Sequence, residues 1–181
     1  MSTVFRSINP KNNKLFRTFE AISYKDLDEK IEKSYQRFRW KYNKGQIEDL
    51  PRRLHKLDFL RQGLIEKKNE YAALITQEMG KPITQSLAEI DRCIGQCDWY
   101  IANGMQIIQN EKLKLLNQDQ QGEIIYQPLG PTLVIMPWNF PFWLPFKSVV
   151  PPLIMGNSIL LKHSPSTPLC AQALMELFAE A

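Results

Sequence analysis

Cysteine and histidine are scarce in this chain, with three and two residues among 181. Cys93, Cys97 and Cys170 are too few for the disulfide framework of a small secreted domain. His55 and His163 stand alone, with no cysteine grouping at zinc-ligand spacing, so no metal is expected. Cys93 and Cys97 lie four apart in a helical pattern, as two small buried side chains on one face would. The amino terminus has no apolar signal-peptide core, and "MSTVFRS" is too short to read as a transit peptide. A reduced, cytoplasmic setting is expected, with a mitochondrial one left open. Neither G-x-G-x-x-G nor the P-loop pattern occurs, so the familiar phosphate cradles are missing.

Two further classes fall away on charge. The longest uncharged stretch, 23 residues between Glu123 and Lys147, has bilayer length. It also holds five prolines (128, 131, 137, 141 and 145), with Gln127, Gly130 and Asn139. Each interior proline deletes a helical hydrogen bond that hydrocarbon cannot replace, so no membrane span is expected. Net charge is +4 and uneven: residues 1–70 carry 17 Lys and Arg against 10 Asp and Glu, residues 71–181 carry 6 against 9. The basic half alternates signs in "YKDLDEKIEKSYQRFRWKY", as a solvated helix face does, and no groove-reading module accompanies it. No nucleic-acid partner is expected.

What is present is an ordinary globular composition, 44% hydrophobic and 23% charged. Residues 3–20 predict a hairpin turning at "NPKNNK". A helix over Tyr24 to Tyr42 is capped by Ser23 with Asp26 three residues on, and Leu27, Ile31 and Phe38 are its inward face. Further helices start near Leu50-Pro51 and at Asn69, the latter stopping at Gly80-Lys81-Pro82. A long helix over Thr84 to Ile108 carries the stripe Leu87, Ile90, Ile94, Cys97 and Ile101. "KLKLLNQ" and "GEIIYQP" predict a second hairpin, turning at Asp119–Gly122.

From residue 132 the pattern becomes strand–loop–helix–strand–loop–helix, as in parallel βαβ units. "TLVIM" (132–136) and "SILLK" (158–162) read as strands buried on both faces. Pro145 suits a helix's first turn, whereas Pro151-Pro152 should kink the helix that ends at Gly156. Thr167 is an N-cap, with Pro168 as the first helical residue.

Ligands of open parallel sheets bind beyond the carboxyl ends of the strands, where both loops begin. In "IMPWNFPFWLP" the prolines restrict Met136, Phe140 and Leu144 and so hold Asn139. A held amide can donate to an oxyanion, or can simply tie its own turn to nearby backbone. Lys162, ending an apolar strand, can donate to ligand hydroxyls or phosphates, or can snorkel off the sheet end.

"PLGPTLVIMPWNFPFWLPF" and "VPPLIMGNSILLKHSPSTPL", with "INPKNNKLF", "EMGKPI" and "CDWY" upstream, resemble the N-terminal, cofactor-binding part of aldehyde dehydrogenases along the whole chain. The "MGKPI", "FW" and "LLKH" details look most like the succinate-semialdehyde dehydrogenases. The implied fold is α/β: N-terminal helices, a hairpin arm and the start of a Rossmann-like parallel sheet. The implied divisions are a hairpin and helical part over 1–112, an oligomerisation arm over 113–128, and the NAD(P)-binding sheet from 129 to 181. In the family a cysteine attacks an aldehyde, hydride passes to NAD(P)⁺, and a glutamate-activated water releases the acid. The resemblance implies that Asn139 helps hold the oxyanion and Lys162 binds the adenosine ribose. Ile135, Met136, Pro137 and Trp138 would line the cofactor groove.

Departures from the family pattern shape the expectation. The nucleophilic cysteine, the base glutamate and the G-x-T-x-x-G turn have no match here, and none of the three cysteines has the nucleophile's context. Pro165 stands where many NAD-preferring members have a glutamate, which leaves NADP⁺ acceptable, and Pro152 is an extra proline. Ala181 ends a helix with no glycine cap, so the chain reads as an incomplete fold. A fragment with no turnover of its own is therefore expected. With so few contacts to offer, its NAD or NADP affinity should be weak, at best on the order of millimolar. The alternative is a non-catalytic protein that pairs with a full-length family member or with itself through the arm.

Overall fold

Asparagine chemistry shapes the first hairpin of the computed structural model, which describes residues 4–43, 50–115 and 120–181. β1 (Val4–Ile8) and β2 (Leu15–Glu20) pair antiparallel. In the turn between them, Asn9 Oδ1 accepts from the Lys11 N–H and Asn12 Oδ1 from the Lys14 N–H, and Asn13 adopts φ 57°. α1 (Tyr24–Asn43) starts with the expected Ser23 cap. The Asp26 N–H donates to Ser23 Oγ at 3.1 Å, and the Ser23 hydroxyl donates to the Asp26 carboxylate at 2.7 Å.

The inward face predicted for α1 is only partly inward. Leu27 and Ile31 are exposed and Phe38 is half-buried. The helix is anchored further along, where the Ser34 hydroxyl donates to Ser158 Oγ and the Phe38 ring packs under Gly130. Periodicity shows which face of a helix is apolar; it does not show how much of that face finds a neighbour.

The core is built by the remaining helices: α2 (Leu50–Glu66), α3 (Lys68–Met79), α4 (Ile83–Ile107), α5 (Trp143–Ile154) and α6 (Pro168–Glu180). Leu54, Leu57 and Leu64 of α2 meet Ile90 and Cys97 of α4, Phe142 and Phe146 at the start of α5, and Leu174 and Leu177 of α6. α2 and α4 approach closely because Gly104 has no side chain. A Cβ there would lie 2.8 Å from Leu54 Cδ2. α3 ends at Gly80, left-handed at φ 78°, whose N–H bonds the Thr76 carbonyl. Pro145 lies in the first turn of α5 as expected, and that helix continues through Pro151 and Pro152 to Ile154.

β3 (Glu111–Leu113) and β4 (Gly122–Ile124) form the second hairpin in antiparallel register. Asp119, at one end of its expected turn, falls outside the described residues. β5 (Thr132–Ile135) and β6 (Ile159–Lys162) pair in parallel, with Ile135 opposite Lys162. The expectation that this strand pair is buried on both faces does not hold. Val134 is 5% exposed, but Leu133 and Ile135, on the opposite face, are each 62% exposed. An apolar run marks a strand fit for two-sided burial, but here α5 packs on both strands while α1 reaches only β6, so β5 keeps one open face. Among the described residues no helix is long and apolar enough to cross a membrane.

Thr167 occupies the N-cap position of α6 but does not cap with its side chain. Glu78, on the buried face of α3, does so from a distance. Its carboxylate accepts the N–H of Leu169 and of Cys170, both at 2.8 Å, and the Ser7 hydroxyl at 2.6 Å. A negative group here satisfies two orphan donors and complements the helix dipole. Replacing Glu78 by Ala strands the buried Ser7 hydroxyl and Cys170 N–H and the half-buried Leu169 N–H, and should lower the unfolding free energy by about 1–3 kcal/mol in urea titration.

The three cysteines are free thiols, fully buried. Burial is the main cause that pushes Cys97 up to about 12, and it holds Cys93 and Cys170 well above the ordinary thiol value. A folded-state pKa above the unfolded one favours folding only while the unfolded thiol stays protonated. Stability is therefore intact below about pH 9 and declines as pH rises toward 12. Urea midpoints should fall across this window, and fall less steeply in Cys97→Ala.

Candidate functional site

The six residues singled out by sequence gather at one place, the carboxyl edge of the β5–β6 pair. Ile135 ends β5 opposite Lys162, and the Met136 N–H extends the ladder by donating to the Lys162 carbonyl at 3.0 Å. Pro137 then ends the pairing, because it has no N–H to give. Trp138 and Asn139 follow in solvent, Trp138 being 53% exposed. The chain turns inward again at Pro141 and Phe142, both fully buried, and enters α5. Lys162 is exposed at the end of β6.

Prolines alone do not hold this loop. Three side chains from elsewhere tie its backbone. Lys81, just after α3, donates from Nζ to the Asn139 carbonyl at 2.9 Å, and lies 3.8 Å from the Phe140 ring centroid. Its ammonium also pairs with the Glu89 carboxylate inside α4, both side chains being buried. The other Glu89 oxygen accepts the N–H of Phe142 at 2.8 Å and of Trp143 at 3.0 Å, so it caps α5 as Glu78 caps α6. His163 Nε2 bonds the Pro141 carbonyl at 2.8 Å, while its Nδ1 accepts the Ser164 N–H. That pattern places the proton on Nε2.

The side-chain amide of Asn139 makes no hydrogen bond among the described residues. A neighbouring asparagine behaves otherwise. Asn157 Oδ1 accepts from the Leu129 and Gly130 N–H groups, and its amide donates to the Pro152 carbonyl. Asn157 thereby pins the entry to β5 against the end of α5, where Gly130 needs a φ of 126° that other residues rarely adopt.

Lys81, Glu89 and His163 were not among the residues that sequence pattern proposed for the site. Glu89 carried a signal: it sits on the buried line of α4 between Ser86 and Cys93, where a carboxylate has no reason to be unless it is paired. Lys81 was read as part of a helix stop and of the "MGKPI" resemblance, and His163 as a lone histidine and part of "LLKH", neither with a role in the site. The stripe read for α4 is partly displaced in the structure. Ile90 and Cys97 are buried, but Leu87, Ile94 and Ile101 are half-buried, and Ser86 and Glu89 share the inward line. Among the described residues there is no cluster of three or more His, Cys, Asp and Glu that could hold a metal ion. None of the three buried cysteines belongs to the exposed edge.

The aldehyde dehydrogenase family matches residues 1–181. The chain is 35% identical over 176 residues to the succinate semialdehyde dehydrogenase [NAD(P)+] Sad of Escherichia coli (strain K12), covering 97% of this chain and 37% of that protein. It is 35% identical over 178 residues to a probable succinate-semialdehyde dehydrogenase [NADP(+)] of Synechocystis sp., with the same two coverages, 97% and 37%. The solved succinic semialdehyde dehydrogenase from Streptococcus pyogenes, in complex with NADP+, superposes with a TM-score of 0.89 at 26% identity. It covers 97% of this chain and 38% of its own. The chain thus spans about 37% of the length of these curated relatives, and it belongs to the aldehyde dehydrogenase family.

Proposed function

We propose that this chain supplies the oxyanion-holding and ribose-holding edge for an NAD(P)⁺-dependent oxidation of an aldehyde, with succinate semialdehyde as the candidate substrate. One observation carries the reading. Asn139 offers an unbonded amide to solvent on a loop whose backbone is tied at Asn139, Pro141, Phe142 and Trp143. An unbonded donor on a rigid backbone is what a transient oxyanion needs, and one such donor lowers a barrier by about 2.7–4 kcal/mol.

The chemistry of the edge fits the cofactor. The exposed Lys162 ammonium can donate to ribose hydroxyls, beside an exposed apolar wall from Ile135 to Trp138. Bound NAD(P)⁺ supplies the hydride acceptor. Lys162 orients the ribose, the wall excludes water from one side, and Asn139 steadies the carbonyl oxygen as it gains charge. The thiol nucleophile and the carboxylate base must come from elsewhere. Cys93, Cys97 and Cys170 are buried, and burial raises their thiols above the ordinary value, which supports the reading that none of them is the nucleophile. Pro165 leaves room for either NAD⁺ or NADP⁺.

A second reading, a non-catalytic partner, draws on the β3–β4 hairpin. Leu113, Ile124, Ile125 and Tyr126 are all exposed there, an apolar surface suited to pairing with a full-length family member or a second copy of this chain.

The purified chain should reduce neither NAD⁺ nor NADP⁺ with succinate semialdehyde; clear turnover would refute the assignment of roles. Placed in a full-length relative in exchange for the matching segment, it should support oxidation. There Asn139→Ala should lower kcat about 10²–10³-fold, and an unchanged kcat would remove the oxyanion role. Sedimentation tests the pairing: a self-associated or relative-bound chain should dissociate on Ile124→Lys, and a lone monomer leaves the second reading without support.

A further inference from the structure

The Asn139 peptide is held by an unusual donor. Its carbonyl is held by a buried cation that comes from 58 residues earlier in the chain. The Lys81 ammonium meets three groups in three directions: the Glu89 carboxylate, the Asn139 carbonyl and the face of Phe140. Rotating the 139–140 peptide would break the carbonyl bond and draw the ring off the ammonium. A buried ion pair adds little net stability over apolar residues of the same size, but it does impose direction. Glu89 also holds the Phe142 and Trp143 amides, so one carboxylate spaces the loop from α5 and aims the lysine.

We propose that Lys81, aimed by Glu89, is a positioning residue that fixes the Asn139 peptide and so the direction of its exposed amide. This rests on the oxyanion reading of Asn139. Lys81 touches neither aldehyde nor cofactor and acts only through the loop.

Nitrogen-15 relaxation on the chain itself tests the idea without any turnover. Trp138, Asn139 and Phe140 should show rigid backbone order parameters of about 0.85, although the first two are exposed. Lys81→Met should lower these three below about 0.6 and leave Phe142 and Trp143 rigid, because Glu89 still holds them. Lys81→Arg, which keeps a cation, should recover part of the order. Wild-type values already below about 0.6 would overturn the proposal. So would no change in Lys81→Met, or equal loosening throughout α2 and α5. Should Lys81→Met fail to fold, Phe140→Leu removes only the ring face, and unchanged order at 138–140 in that variant also overturns it. In the chimeric enzyme, Lys81→Met should lower kcat at least about tenfold with little change in KM, and should add nothing to Asn139→Ala. A full extra loss in the double variant refutes positioning. An inert Asn139→Ala refutes the oxyanion reading instead, while the relaxation data still decide whether Lys81 orders the loop.

Discussion

Two carboxylates buried in consecutive helices hold the later half of this fold to the earlier half. An α-helix begins with backbone N–H groups that have no partner within it, and burial makes each of them costly. α5 and α6 start inside the protein without side-chain caps of their own. Glu89 of α4 supplies the acceptor for the first, and Glu78 of α3 for the second. Each carboxylate also needs a donor beyond the amides, found in Lys81 and in the Ser7 hydroxyl. The other end of α5 is handled in the same way, where Arg53 of α2 donates to the Ile154 carbonyl at 2.7 Å. Charged hydrogen bonds thus satisfy the starts of the two late helices, while Phe146, Val150, Leu174 and Leu177 pack their bodies into the core.

The exposed loop before α5 follows from this arrangement. Because Glu89 fixes where α5 starts and β5 fixes where the strand stops, the seven residues 136–142 must bridge two set points. Prolines remove most of the alternatives, and Lys81 and His163 remove more by holding two carbonyls. What remains free is the side chain of Asn139. The open face of β5, with Leu133 and Ile135 in solvent, belongs to the same edge. An apolar wall beside one ammonium and one amide is a modest surface on its own, and it matches the small share of its relatives' length that the chain spans.

Much of this was legible beforehand where the signal is local. Ser23 capped the Asp26 N–H, asparagines shaped the first turn, Gly80 ended α3, and Pro145 fell in the first turn of α5. The gathering of Ile135 through Asn139 with Lys162 followed from two strands and the parallel pairing their spacing required. Legibility failed where burial depends on a distant neighbour. Leu27 and Ile31 have the right period and too little to cover them, and Thr167 has the right chemistry for a cap that Glu78 provides instead.

Sequence by itself determined the order of the elements and the one stiffened loop, because proline, glycine and capping residues act through their own backbone and a few neighbours. Tertiary structure decided which polar groups became internal. Lys81 and Glu89 are ordinary charged residues eight apart until α3, α4 and the loop close around them. Whether a charge is buried, and what it then holds, depends on contacts across 50 residues or more, as between Glu89 and Phe142, 53 apart. No local pattern encodes such pairings, and the one that reaches Asn139 is the bond from Lys81 to its carbonyl, 58 residues apart.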